Sequence, residues 1–366
     1  MNILILTPDR VGSTLLQRLI TVYAKINEKD KVSVNLHELT NGLTSYHSSK
    51  FGIDLLGKKE KSWGYHQSLN EIVEVLSSRQ HDVTSRLAYY HLKNRKDSIA
   101  DQLSFYEYLN DNFFIISARR KNLLEHAVSW GITVESKKLN VYTFEEKYKI
   151  FKDIHAKGIN IDQNTIKKYL NQYQEYLHWA DAHFNVNAYF DYEDHLPNLE
   201  HFILNLTPFR QAGYTTTWKD YFDIEWNDWN RMHYLLSLHA FGQEYTDEEK
   251  TFIKDNIERY SHARTFLQDM TDDGLLVSSI PIKLHTMSDK SKIVHNLENC
   301  LDTYNKWISS SKVTGAIAYT QNDIVEQAKL ENTNWKSGSA DSASLLTYND
   351  VSEYNLKKSD LKHYDK

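Results

Sequence analysis

The chain has 366 residues, a formal net charge of −6 and one cysteine, and 40% of its residues are hydrophobic. Bulk binding of nucleic acid requires a net basic face, so this acidic chain is not expected to have a nucleic-acid partner. A single cysteine excludes an intramolecular disulfide and fits a reducing compartment. The only early apolar run, Ile3 to Leu6, is too short for a signal segment, and no later run approaches a membrane span. We therefore expect a cytoplasmic protein.

The first predicted elements are a strand and a helix joined by a tight loop. Asn2–Thr7 is a short apolar run rich in Ile and Leu, which is typical of a strand buried on both faces. A turn with Gly12 follows over residues 8–14. Apolar residues then recur at helical spacing from Leu15 to Ile26, which predicts an amphipathic helix.

The strand-to-helix order repeats further along the chain. Val83–Leu92 and Phe113–Ala118 are predicted strands, and Leu123–Trp130 is a predicted helix directly after the second of them. Two units of this kind favour a parallel sheet with crossover helices. Three further elements are predicted: a helix over 163–184, a strand over Val186–Phe190 and a helix over Leu199–Leu206. The predicted fold is α/β, with a central parallel sheet flanked by helices.

Composition divides the chain into three predicted regions. Residues 1–275 contain the strand-to-helix units and form one large α/β domain. Residues 276–331 form a largely helical extension, because apolar residues follow helical spacing from Ile293 to Ile308. Residues 332–366 are dominated by Ser, Asn, Asp and Lys and form a loosely ordered polar tail.

The loop between the first strand and the first helix has the composition of an anion-binding site. A glycine loop at a helix start points backbone N–H groups into one concavity, and the helix dipole adds partial positive charge there. A guanidinium and two hydroxyl groups add further donors. A Walker A sequence is absent because no lysine precedes Ser13, and G-x-G-x-x-G is absent too. The predicted oxyanion ligands are Arg10, Val11, Gly12, Ser13, Thr14 and Leu15.

A second anion site is predicted after the strand Phe113–Ala118. Arg119 and Arg120 end this strand, and Ser129 follows on the next helix. A guanidinium and a hydroxyl group together match a phosphate group in charge and in hydrogen-bonding capacity. Either arginine fits this role, and Arg120 is the preferred ligand.

These motifs resemble those of sulfotransferases that use 3′-phosphoadenosine 5′-phosphosulfate. The sequence R-x-G-[ST]-T-L-L from Arg10 looks like their 5′-phosphosulfate loop, in particular that of the bacterial and tyrosylprotein types. Those types have arginine where the cytosolic enzymes have lysine. The order of Arg120 and Ser129 is similar to that of the family's 3′-phosphate site. The resemblance covers roughly residues 1–225 and implies a P-loop-like sheet.

The resemblance implies an enzyme that transfers a sulfuryl group to a hydroxyl or amine of an acceptor of unknown class. Its nucleotide product would be adenosine 3′,5′-bisphosphate. The transfer is an in-line displacement dominated by positioning and charge stabilisation, and it requires no metal. Two alternatives stay open: a P-loop-like kinase or phosphotransferase, and a non-catalytic nucleotide-binding protein of the same fold. The sequence does not indicate an oligomeric state.

The resemblance also implies catalytic residues. Relatives with the arginine-type loop use a glutamate just after the first helix, and Glu38 occupies that place here, with His37 beside it. Glu38 is therefore the first candidate for the base and His37 the second. Arg86 lies where relatives place a cation near the transferred group, and Arg10 would stabilise the charge of that group. His91 is a further candidate for the base.

Two later segments also resemble family motifs. Tyr189–Leu206 is similar to the Y-E-D-L strand end and the helix that follows it, whose acidic residues orient the structure rather than react. Residues 210–222 are similar to the late cofactor loop that ends in Trp-Lys in the cytosolic enzymes. This similarity assigns Arg210 to cofactor binding.

Overall fold

The structure is a computed structural model that describes residues 1–30, 32–40, 51, 68–136, 157–239, 244–276 and 294–310. It has an α/β fold around a five-stranded parallel sheet, as the sequence predicts. The strands are β1 (Ile3–Thr7), β2 (Ser33–Glu38), β3 (Asp82–Ala88), β4 (Phe114–Arg119) and β5 (Ala188–Asp191).

Helices connect the strands and follow the last strand along the chain. Within the described ranges they are α1 (Ser13–Asn27), α2 (Leu69–Ser78), α3 (Tyr89–Lys93), α4 (Ile99–Asn112), α5 (Leu123–Glu135), α6 (Gln163–His183), α7 (Tyr192–His195), α8 (Leu199–Leu204), α9 (Thr207–Gln211), α10 (Trp218–Phe222), α11 (Trp226–His239), α12 (Asp247–Asp272) and α13 (Leu297–Ser310). None of the helices in these ranges combines the length and the apolar character needed to span a membrane.

The strand order places β1 at the centre of the sheet. The order is β2-β3-β1-β4-β5, and all neighbouring pairs are parallel. After β1 the chain continues to β2 on one side, whereas after β4 it continues to β5 on the other. Ligands of open parallel sheets bind at such a switch point, outside the carboxyl ends of the strands. The loops after β1 and β4 therefore flank the expected ligand position.

Two tyrosines of α6 bond backbone groups at the carboxyl ends of β1 and β4. The Tyr176 hydroxyl lies 3.1 Å from the carbonyl oxygen of Leu6 and 2.9 Å from that of Ala118. The Tyr173 hydroxyl accepts a hydrogen bond from the Arg120 N–H at 2.6 Å and donates to the Arg120 carbonyl at 2.9 Å. These hydroxyl groups thus provide hydrogen-bond partners for backbone groups at the strand ends that do not bond to the neighbouring strand.

The chain divides into two compact units. The first consists of Met1–Lys121, Asn171–Thr217 and Leu267–Ser279, and it contains the whole sheet. The second consists of Asn122–Leu170, Trp218–Phe266 and Ile280–Lys366.

In the second unit, α13 packs against α5. The Asn296 side chain, just before α13, bonds both the backbone N–H and the carbonyl of Ile161. The helix predicted from Ile293 to Ile308 is therefore present as α13. The polar tail predicted over 332–366 lies outside the described residues.

One predicted strand is too long, and one strand was not predicted. Residues 83–92 were predicted as a strand, but β3 ends at Ala88, opposite the last residue of β1, and α3 follows. Beyond Ala88 there is no neighbouring strand residue of β1 to bond with, so the chain turns into a helix. β2 was missed although Ser33–Glu38 alternates polar and apolar residues, a pattern typical of a strand.

Candidate functional site

The loop between β1 and α1 has a strained backbone. Asp9 and Arg10 have φ angles of 63° and 58°, and Gly12, the N-cap of α1, has a φ of 71°. The left-handed region costs a residue with a side chain about 1–2 kcal/mol. Strain of this kind clusters at binding and catalytic sites. The loop after β1 is therefore a candidate site on conformation alone.

Gly12 is fixed by its neighbours as well as by its φ angle. A Cβ atom at this position would lie 3.1 Å from Tyr192 Cδ2 and 3.2 Å from Tyr192 Cε2. The loop thus packs directly against the first residue of α7. A larger residue at position 12 would both strain the backbone and push the tyrosine ring away.

The hydroxyl groups at the start of α1 keep their protons available for a ligand. Thr7 Oγ1 donates to Ser13 Oγ at 3.0 Å, and Arg86 Nη1 donates to Ser13 Oγ at 3.2 Å and to Thr14 Oγ1 at 2.6 Å. A hydroxyl group accepts up to two hydrogen bonds and donates one. Since both oxygens accept here, their O–H protons are free to donate. The first N–H groups of α1 add donors at the same place.

Arg86 links these hydroxyl groups to a buried carboxylate. Arg86 Nη2 donates to Glu38 Oε1 at 2.6 Å, and both side chains are almost fully buried. The second carboxylate oxygen, Glu38 Oε2, lies 2.6 Å from His91 Nδ1. A continuous series of contacts thus runs from Ser13 through Arg86 and Glu38 to His91. We call these four residues and Thr14 the loop–histidine network.

Negative charge in this region favours protonation of two groups. Enclosure of the Asp9 carboxyl, followed by the charge of Glu38, raises the pKa of Asp9 above its usual range. Burial alone would lower the pKa of His91. The hydrogen bond and charge of Glu38, with the charge of Asp9, outweigh burial and raise the pKa of His91. Both groups therefore bind a proton more readily than they would in water.

Arg18 belongs to the same region but was not predicted from the sequence. Its side chain is buried on α1, four residues after Thr14 and hence on the same helix face. Burial, followed by the positive charge of Arg86, lowers the pKa of Arg18 to about 9. In the sequence, the spacing of four residues from Thr14 is the feature that could have indicated a role for Arg18 in this region.

The basic residues at the end of β4 and just after it pair with acidic residues at the end of β5 and just after it. Arg119 Nε and Nη2 donate to the two Asp191 oxygens at 3.0 and 3.1 Å. Arg120 Nε donates to Glu193 Oε1 at 3.1 Å, and the Lys121 N–H donates to Glu193 Oε2 at 2.8 Å. The two arginines predicted to bind a phosphate group thus already have carboxylate partners in their own unit.

Arg120 also contacts the loop after β1. Its Nη1 lies 3.5 Å from the Arg10 carbonyl oxygen, and its guanidinium carbon lies 4.5 Å from the centre of the Tyr192 ring. Tyr192 in turn lies against Gly12. The predicted residues that the structure brings together are therefore those of the loop, Arg86 and Glu38 on one side of β1, and Arg120 on the other.

Two further predicted residues are Ser129 and His37. Ser129 is in the second unit on α5, where it is partly exposed and its carbonyl accepts a hydrogen bond from Thr133 Oγ1 at 2.9 Å. His37 is in β2, but its side chain lies outside the described part of the structure.

Arg210 is exposed on α9, and the segment after it is attached to the far end of α1. Asn27 Oδ1 accepts from the N–H groups of Thr215 and Thr216 at 2.9 and 2.8 Å. Asn27 is the last residue of α1, about 20 Å from Ser13 at the helical rise. The described contacts therefore tie this segment to the end of α1 opposite the anion loop.

No protein-family model and no curated protein matches this sequence. Within the described ranges, no group of three His, Cys, Asp or Glu residues is placed to hold a metal ion. The donors at the carboxyl ends of β1 and β3 are backbone N–H groups, hydroxyl groups and guanidinium groups. All three kinds of donor hydrogen-bond oxyanions.

Proposed function

We propose that this chain is a sulfotransferase that transfers a sulfuryl group from 3′-phosphoadenosine 5′-phosphosulfate to a hydroxyl or amine of an acceptor. The observation that carries the proposal is the arrangement of Ser13, Thr14 and Arg86. Arg86 donates to both hydroxyl groups, which leaves their protons for the oxygens of a bound anion. The resemblance of the R-x-G-[ST]-T-L-L segment supports a phosphosulfate as this anion.

The sequence of the loop between β1 and α1 distinguishes two kinds of nucleotide. The loop lacks the lysine with which nucleoside triphosphatases hold the terminal phosphates. It has Arg10 instead, the residue that the sulfotransferase resemblance assigns to the phosphosulfate. This difference supports the sulfotransferase over the kinase alternative.

The donor set of the first unit fits such a nucleotide. Residues 10–15 would hold the 5′-phosphosulfate, with Gly12 allowing close approach to the backbone. Arg120, which contacts the carbonyl of Arg10, would hold the 3′-phosphate, with Arg119 as the other predicted ligand in the same unit. Because Arg119 and Arg120 already bind Asp191 and Glu193, the phosphate group must share these arginines with carboxylates. The bound nucleotide would supply an activated sulfuryl group.

The arginines near the loop would stabilise the charge that develops during transfer. Arg10 lies in the loop itself, and Arg86 is held rigidly by Glu38, Ser13 and Thr14. Donors that are fixed before the reaction need no reorganisation when charge develops, which makes them effective. Glu38, the first candidate for the base, has little room to reach an acceptor, because it is buried and both its oxygens are engaged.

Calorimetric titration with adenosine 3′,5′-bisphosphate in the absence of magnesium tests the proposal. We expect binding that weakens at least tenfold for adenosine 5′-monophosphate, because the 3′-phosphate contacts are lost. Transfer of labelled sulfate to a panel of carbohydrate, lipid, small-molecule and peptide acceptors should then detect turnover. Replacement of Arg10 by Ala should lower the transfer rate by about a hundredfold, the scale for removal of one stabilising donor.

The exposed Arg210 provides a matched control for Arg10. Arg210→Ala removes the same side chain from α9 and, on the described contacts, should leave bisphosphate binding unchanged. Equal affinity for nucleotides with and without the 3′-phosphate, together with a requirement for magnesium, would instead support a kinase.

A further inference from the structure

The first turns of α4 expose aliphatic side chains to solvent. Ile99 is 77% exposed and Leu103 is 46% exposed. The two lie one turn apart on the same face of the helix, and Ala100 beside them is also exposed. We call Ile99, Ala100 and Leu103 the α4 patch. A contiguous apolar group with charged residues at its rim is typical of a contact surface.

α2, which packs against α4, provides a comparison within the same unit. Its buried side chains are all apolar. Its clearly exposed residues are all polar, namely Asn70, Glu71, Glu74, Ser77 and Ser78. This is the composition expected of a helix whose outer face contacts only water. The α4 patch departs from that composition, which favours a partner at this face of α4.

Charged residues of opposite sign flank the α4 patch. Lys96 precedes Ile99, Glu107 follows Leu103, and both charged side chains are exposed. Among the described residues, neither of the two forms an ion pair or a side-chain hydrogen bond. Ile99, Leu103 and Glu107 recur at intervals of four residues and hence lie on one face of α4. Along the chain this face is therefore first positive, then apolar, then negative.

This order of charges is complementary to itself when it is reversed. Ile99 and Leu103 are centred on Asp101, and Lys96 and Glu107 are centred on nearly the same point. If two copies of α4 cross there in antiparallel orientation, Ile99 meets Leu103 of the other copy. Lys96 then approaches Glu107 of the other copy, and a twofold axis makes each contact occur twice. Glu107 also comes near the start of the other helix, where the helix dipole favours negative charge.

From the α4 patch and its flanking charges, we propose that α4 forms a symmetric interface between two copies of this chain. The apolar side chains form the centre of the interface and the ion pairs form its rim. Burial of the apolar centre then drives association, and the charges determine the orientation of the two copies. A second copy fits this face because it carries the required opposite charges at the matching positions. The inference does not depend on the proposed function.

Sedimentation velocity over about a hundredfold range of protein concentration tests the interface. We expect the parent protein to shift from monomer to dimer as its concentration rises. Ile99→Gln should raise the dissociation constant of the dimer about tenfold or more, because the lost apolar contact occurs twice. Val134→Gln is the matched control, since Val134 is also an exposed aliphatic residue but lies on α5. It should leave the dissociation constant unchanged.

Charge reversal tests the orientation of the two helices. In Glu107→Lys or in Lys96→Glu alone, like charges meet at both symmetric positions, so each variant should dimerise about tenfold more weakly or worse. An equal mixture of these two variants has opposite charges at both positions and should associate nearly as tightly as the parent protein. Glu258→Lys is the control, because it reverses an exposed glutamate of α12. It should dimerise like the parent protein.

Three results would overturn the proposal. They are a parent protein that stays monomeric over the whole concentration range, a dimer that persists unchanged in Ile99→Gln, and a mixture of the two charge variants that associates no better than either alone. Circular dichroism and thermal unfolding should show that each variant keeps its fold, because every substituted side chain is exposed.

Discussion

Arg86 divides its guanidinium group between two kinds of partner. Nη1 donates to the Ser13 and Thr14 hydroxyl groups, and Nη2 donates to Glu38. This division requires a planar group with several donors in fixed directions, which lysine does not have. Arg86 therefore keeps the anion loop and the buried carboxylate in one arrangement.

Replacement of Arg86 by Lys should remove the link between Glu38 and the hydroxyl groups of the anion loop. The ammonium group can pair with Glu38 or with the hydroxyl groups but cannot reproduce the fork, so bisphosphate affinity should fall about tenfold or more. Calorimetry measures the affinity, and denaturant unfolding measures the stability. Arg95→Lys is the control, because Arg95 is another arginine of the first unit with a buried side chain and a carboxylate partner, Asp97. Equal loss of affinity in both variants would contradict a specific role for Arg86.

A second prediction at the residue scale concerns Gly12. The free energy of unfolding should be about 1–2 kcal/mol lower in Gly12→Ala, because alanine is strained at this left-handed φ angle. It should fall further because the added Cβ contacts Tyr192. The variant should also bind the bisphosphate weakly, since the loop conformation changes. Gly213→Ala separates the two causes, because Gly213 has a φ of 72° and no neighbour within 4 Å of its added Cβ.

Thermal unfolding and calorimetry of both glycine variants test this prediction. Gly213→Ala should lose stability but keep its affinity. A Gly12→Ala protein with full affinity would show that the loop does not need its backbone conformation for binding.

Individual elements were predictable where they carry their own local signal. β1, α1 and β4 each have an apolar run or a helical periodicity, and all three lie within one or two residues of their predicted positions. The end of β3 could not be predicted, because it is set by the length of β1, a partner distant in sequence. Local pattern therefore defines an element, while the neighbouring strand defines where it ends.

The candidate site was predictable only in part for the same reason. The anion loop is one continuous segment, so its donors were visible in the sequence. Contact between Arg86 and Glu38 depends on the pairing of β2 with β3, where Glu38 is the register partner of Arg86. The pairing of Arg119 with Asp191 likewise follows from the register of β4 and β5. No local signal specifies these strand registers.

The position of the Tyr176 hydroxyl group between β1 and β4 gives a prediction about how these two strands are held. Tyr176→Phe removes the hydroxyl group that lies between the carbonyl groups of Leu6 and Ala118. Loss of a buried hydrogen-bond partner should lower the free energy of unfolding by about 1–3 kcal/mol. Bisphosphate affinity should fall too, because β1 and β4 carry the loops that flank the site. Tyr90→Phe is the control, because Tyr90 on α3 is 44% exposed, and it should change neither quantity by as much.

At the scale of the whole molecule, two raised pKa values make stability depend on pH. A group whose pKa is raised by folding stabilises the protein below its unfolded pKa and loses this contribution as pH increases. For Asp9 the loss begins above about pH 4, and for His91 above about pH 6.5. The contributions of both groups to stability therefore decrease as pH rises. As far as these two groups are concerned, mildly acidic solution should favour the folded state.

Asp9→Asn tests the sign of this effect. Asparagine tolerates the left-handed backbone and carries no charge, so the variant should unfold at a higher temperature than the parent protein at pH 7. The difference should shrink as the pH approaches 4, where the parent Asp9 is protonated as well. Thermal unfolding across this range measures the difference, and a difference that grows towards low pH would show that folding lowers the pKa of Asp9.

The packing of Gly12 against Tyr192 has a consequence for synthesis on the ribosome. Roughly 180 residues separate the two, and translation adds about 5–20 residues per second. The nascent protein thus waits about ten to forty seconds between emergence of its glycine turn and arrival of the aromatic ring that supports it. Ligand capture by an unfinished polypeptide should therefore begin only once translation has passed that ring.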